Sequence, residues 1–96
     1  MKIVKSVSYL MSDGLMVKSK NARKIWEGRS LSDSLKKYNL YMTRRGSFWV
    51  EHIHLDGIKK DFARWIDKAD AAEWLQNEGF EVPEELQEFI EREGNQ

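Results

Sequence analysis

The stretch LYMTRRGSFWVEHIHL, residues 40–55, decides the fold. Leu40-Tyr41-Met42-Thr43 and Phe48 to Leu55 carry the aromatic and β-branched residues that suit a pleated surface. Arg44-Arg45-Gly46-Ser47 between them has the composition of a hairpin loop. In the second strand a period of two puts Trp49, Ile53 and Leu55 on one face. Phe48 and Val50 fall on the other, beside His52.

Outward from this hairpin, Asp56-Gly57 is a second turn signal and leads into a strand from Ile58 to Trp65. Together these elements make a three-stranded meander. An N-terminal hairpin precedes it: Ile3, Val7, Tyr9 and Met11 share one face, with Lys5 the exception. Asp13-Gly14 then supplies a tight turn, and Leu15 to Lys20 is the returning strand. Residues 22–27, ARKIWE, admit a helical turn between Asn21 and Gly28 or a short strand, of which the strand is preferred. Arg29 to Lys37, with Ser30, Ser32 and Ser34, reads as a polar loop with at most one turn of helix.

Beyond Ile66 the period becomes helical. Asp67 is placed as an N-cap, Asp70 adds negative charge to the first turn, and Gly79 sits where a helix ends. Ala71, Trp74 and Leu75 form the apolar stripe. Pro83 opens a second helix, with Leu86, Phe89 and Ile90 on its apolar side. The expectation is a single α+β domain over residues 1–96, with an antiparallel sheet of four or five strands across about 2–66. Helices at about 68–78 and 83–93 pack on one face of it, delivering Trp74, Leu75, Leu86, Phe89 and Ile90.

Leu40-Tyr41-x-Thr43-x-x-Gly46-x-Phe48, then Ala71-Ala72-x-Trp74-Leu75, Gly79 and Pro83-Glu84, resembles a loose group of small, mostly uncharacterised bacterial and phage proteins. Their pattern is an "LY-x-T-x-x-G-x-F" hairpin followed by an "A-x-W" helix, and the likeness covers roughly residues 22–86. These motifs are structural: a turn, a core tryptophan and a helix end. The resemblance implies a recurrent small α+β unit found on mobile elements, with no known shared activity and no catalytic residue to carry across.

Composition narrows the chemistry. There is no Cys, so no disulfide or thiolate site is built. No run approaches the roughly 20 apolar residues that span a bilayer, and the N-terminus lacks the apolar core of a signal peptide. A cytoplasmic protein, of a bacterial cell or a phage-infected host, is the expectation. No nucleophile elbow, phosphate loop or dinucleotide fingerprint occurs, so an enzyme is not expected, nor any cofactor. His52, His54 and Asp56 lie on one strand face and could offer ligands to a metal, the basis of an alternative metal-dependent enzyme, but the spacing supplies no further ligand. Two histidines on the polar face of a sheet account for the same pattern.

Charge is the strongest functional signal. Residues 1–60 hold 13 Lys and Arg against 5 Asp and Glu, a balance of +8; residues 61–96 hold 3 against 11, a balance of −8. The acidic end, represented by Glu84, Glu88 and Glu91, suits docking on a basic protein surface. The leading expectation is therefore a non-enzymatic binding protein of phage or mobile-element type that regulates or inhibits a protein partner. Its sharpest form is an inhibitor of a host-defence complex. The alternative is a nucleic-acid-binding module using Lys36, Lys37, Arg44 and Arg45 among interleaved aromatics.

Overall fold

The structure, a computed structural model, describes residues 6–28 and 35–90. The expectations placed on Ile3 and Lys5, on Ser30, Ser32 and Ser34, and on the last residues from Glu91 onward lie outside this range. The fold is α+β, and its centre is a four-stranded antiparallel meander. Labelled in chain order, the N-terminal hairpin is β1 (Ser8–Leu10) and β2 (Met16–Lys18). The meander follows as β3 (Lys24–Glu27), β4 (Lys36–Met42), β5 (Phe48–His54) and β6 (Phe62–Ile66). Helix α1 (Lys68–Asn77) and a 3-10 helix (Glu84–Phe89) complete it.

The quoted hairpin is the spine of the sheet. β4 and β5 pair over seven positions, from Lys36 opposite His54 to Met42 opposite Phe48. Residues 24–27 form a strand, as preferred, because Trp26 pairs with Leu40 and is buried there. β4 begins earlier than its composition announces, so Lys36 and Lys37 belong to the sheet and not to a loop. β6 begins later: the Asp56 carboxylate accepts from the amides of Ile58 and Lys59, which holds that stretch in a turn until Asp61.

Strand alternation gives the sheet two covered faces. Leu40, Met42, Phe48, Val50 and Trp26 meet Ala71, Ala72, Leu75, Val82 and Leu86 on one side. Tyr41 and Trp49 meet Met11 and Val17 of the β1–β2 hairpin on the other. The hairpin is thus a separate two-stranded sheet and adds no fifth strand to the meander.

Helix α1 has the caps its sequence calls for. Asp67 Oδ1 accepts from the Asp70 amide at 2.8 Å. At the other end the amides of Gly79 and Phe80 donate to the carbonyls of Gln76 and Leu75, a closure that needs the positive φ of Gly79. The second helix departs from expectation. It is six residues of 3-10 helix, not an α-helix over 83–93, with amides donating three residues back, from Leu86 to Pro83 and from Ile90 to Gln87. So short a segment takes its form from packing, and Leu86 alone within it is fully buried. Phe89, assigned to the core, is exposed instead. No described helix is long and apolar enough to cross a membrane.

Where β3 passes α1 the layers nearly touch. A Cβ at Gly28 would stand 2.2 Å from the Tyr38 carbonyl oxygen and 3.1 Å from the Trp74 ring. The Gly28 amide also donates to that carbonyl at 2.9 Å, so the strand cannot back away without losing a ladder bond. Gly28→Ala is expected to cost about 1–3 kcal/mol by overpacking. Thermal melts should show it, at about 4–8 °C per kcal/mol for a domain of this size. A melting temperature equal to wild type would mean that β3 is not packed this closely.

Candidate functional site

The layer built by α1, the 3-10 helix and their connection is acidic on its outward side. Between residues 67 and 90 there are eight acidic residues and one basic residue, Lys68. Asp70, Glu73, Glu81, Glu84, Glu85 and Glu88 are all exposed. Their apolar neighbours Ala71, Ala72, Leu75, Val82 and Leu86 are turned against the sheet and buried. The arrangement follows from periodicity: positions that face the sheet are apolar, so the charges can only point away from it. Glu84 and Glu88 therefore lie on the same short helix, whereas Glu91 is outside the described residues. Glu85 is drawn aside by Arg23, 3.8 Å away.

The basic residues are divided. Arg44 and Arg45 are exposed at the β4–β5 tip, where the Thr43 hydroxyl accepts from the Ser47 amide and closes the loop. Lys36 and Lys37 start β4, roughly 20 Å away along a strand that rises about 3.3 Å per residue. Lys36 lies on the helix side of the sheet and Lys37 on the hairpin side. The four do not form one phosphate-binding surface.

The histidines are engaged one by one. His52 Nε2 accepts from Arg64 Nε at 3.0 Å. Burial first, then the nearby charge of Arg64, His54 and Lys36, lowers the His52 pKa below the ordinary imidazole value. His54 Nδ1 lies 3.0 Å from the Lys60 carbonyl, an arrangement that suits an N–H donor there. Asp61 accepts from the His54 amide at 2.7 Å. The Asp56 carboxylate is held below the usual range by the two turn amides it accepts. Among the described residues no group of three or more His, Asp or Glu could hold a metal ion.

Between Trp49 and Ile53, on the hairpin side, sits a residue the face assignment passed over. Glu51 is 3% exposed. Its Oε2 accepts from Tyr9 Oη at 2.6 Å, and its Oε1 accepts from Tyr41 Oη at 2.7 Å and Asn39 Nδ2 at 3.1 Å. Asn39 Oδ1 in turn accepts from the Gly28 amide. A carboxylate placed by strand alternation on the same face as Trp49 was the available signal. Burial, then the bonds to Glu51, push the pKa of both tyrosines well above the ordinary phenol value of 10.0. The bond from Tyr9 ties the hairpin to the sheet, while those from Tyr41 and Asn39 join neighbouring strands of the meander.

Comparison with known protein families, with curated proteins and with solved structures finds no match to this chain.

The tyrosines make stability depend on alkaline pH. In the unfolded chain they ionise near the ordinary value, while in the fold they stay protonated to higher pH. Their contribution is complete below pH about 10 and is lost as pH rises above it. Denaturant melts at increasing pH should show this decline, and Tyr9→Phe should make it shallower. A wild-type profile that stays flat through that range would contradict the Glu51 arrangement.

Proposed function

We propose that this chain is a non-enzymatic binding protein that regulates or inhibits a protein partner through its acidic helical layer. The observation that carries the reading is a division of labour within α1 and the 3-10 helix. Their buried apolar residues are committed to the sheet, and their outward side presents Glu73, Glu81 and Glu84 to solvent. A surface of one sign attracts a surface of the other and raises the rate of encounter. The partner that fits is a protein with a basic groove, such as one that otherwise receives nucleic-acid phosphates. A bacterial host-defence complex is the sharpest form of this proposal. Capture from a bacterial lysate with and without nuclease, read by mass spectrometry, distinguishes a protein partner from nucleic acid.

Charge reversal tests the surface without disturbing the fold. Glu73→Lys, Glu81→Lys and Glu84→Lys together should leave stability almost unchanged, at about 0.5 kcal/mol or less for each exposed site. The same triple variant should associate more slowly with a captured basic partner, and the difference should shrink as added salt screens the charges. Wild-type association kinetics in the variant would show that the layer is only a solvated face.

A further inference from the structure

Among the described residues, the helix side of the sheet is not covered along its whole length. Its cross-strand rows run from Met42–Phe48–Ile66, through Leu40–Val50–Arg64, to Tyr38–His52–Phe62. Of the first two rows, Met42, Phe48, Leu40 and Val50 lie in the core beneath α1 and the 3-10 helix and Ile66 packs against it, while Arg64 is exposed. In the third, only Tyr38 still packs against that core. Phe62 is 47% exposed. The uncovered end thus holds three rings in line across three strands, followed by Lys36 and His54 in the next row.

The rings pack on one another from strand to strand, and Phe62 stands last in the row, on β6. His52 and Phe62 stack with centroids 4.3 Å apart and planes within 9° of parallel. Tyr38 meets His52 edge to face at 4.9 Å. Arg64, one row nearer the helices, fixes the imidazole through its Nε, which holds the stack in one orientation. Lys36 and Arg64 are exposed beside the rings, and Lys59 and Lys60 are exposed on the adjoining loop. Two carboxylates lie nearby, Asp61 accepting from the His54 amide and Asp56 from the turn amides.

We propose that the Tyr38–His52–Phe62 row, flanked by Arg64 and Lys36, is a stacking site for the bases of single-stranded nucleic acid. A nucleobase offers an aromatic face to the Phe62 ring, and its phosphates meet the cations at the margin. A duplex keeps its bases stacked on one another and has none to offer. The site uses neither Arg44 and Arg45 nor the acidic layer, so its fate is separate from that of the protein-binding reading.

The test is fluorescence anisotropy of labelled ten-nucleotide oligomers at low salt: oligo-dT, oligo-U and a duplex of mixed sequence. Wild type should bind both single strands more tightly than the duplex, and the ratio between oligo-dT and oligo-U tells whether DNA or RNA is preferred. Phe62→Ala should weaken single-strand binding about five- to a hundredfold, the range for one lost stacked base. Phe62→Trp should restore it. Arg64→Gln should reduce the salt dependence by about one ion. Circular-dichroism melts of each variant establish that the fold is intact. Absence of binding by wild type, equal affinity for the duplex, or unchanged binding by Phe62→Ala would each overturn the proposal. So would a Phe62→Ala variant that loses a protein partner while wild type shows no oligonucleotide binding, because the row would then be a protein contact.

Discussion

A buried carboxylate has to be satisfied, and in this fold the one at Glu51 is satisfied from two sheets at once. Asn39 and Tyr41 reach it from the neighbouring strand, and Tyr9 reaches it from the β1–β2 hairpin, 42 residues away in sequence. Leaving such a group without donors costs several kcal/mol, so each hydroxyl has a defined place to be. The surrounding rings lack that directionality. Tyr41 lies flat on Trp49 with centroids 3.9 Å apart, and Tyr9 meets Trp49 edge-on at 6.2 Å. Apolar contact pulls the hairpin against the sheet, and the bond from Tyr9 decides where along the sheet it rests.

The opposite face is held differently. There Phe48, Val50 and Leu40 receive Ala71, Leu75 and Leu86, with no buried carboxylate among the described residues of the junction, and small alanines let α1 approach closely. That economy has consequences for function. Because the sheet takes the apolar side of the helical layer, the outward side is left to carboxylates. The layer also ends before the sheet does, which leaves Phe62 exposed and His52 only partly covered. Two surfaces of different character, one acidic and one aromatic with cations at its edge, result from how far a short helical layer extends over a longer sheet.

The β4–β5 hairpin was legible because strand composition, alternation and turn residues all agree over residues 40–55. Residues 22–27 admitted a strand or a helical turn, which the pairing of Trp26 with Leu40 decides, whereas Asp67, Asp70 and Gly79 marked α1 at both ends. The 3-10 helix was not legible: Leu86, Phe89 and Ile90 have the spacing of an α-helical stripe, and only packing shows that Leu86 is buried and Phe89 is not. The acidic surface could be read from charge alone. Glu51 could be placed on the Trp49 face by counting, but its dependence on Tyr9 is a contact between distant strands that local pattern does not contain. The ring row was hidden for a related reason. His52 and His54 were visible as neighbours, while Phe62 joins them only through the register of β6 and Tyr38 through that of β4.

If the hairpin is fastened to the sheet through Glu51, it should be separable from the helical side. Native-state hydrogen exchange on Tyr9→Phe measures this directly. The amides of Met11 and Ser19, which donate to Leu15 and Val7 within the hairpin region, should exchange through a lower-energy opening than in wild type. Those of Ala71 to Leu75 in α1 should keep their protection. Equal loss of protection in the hairpin and in α1, or no change in either, would contradict the account.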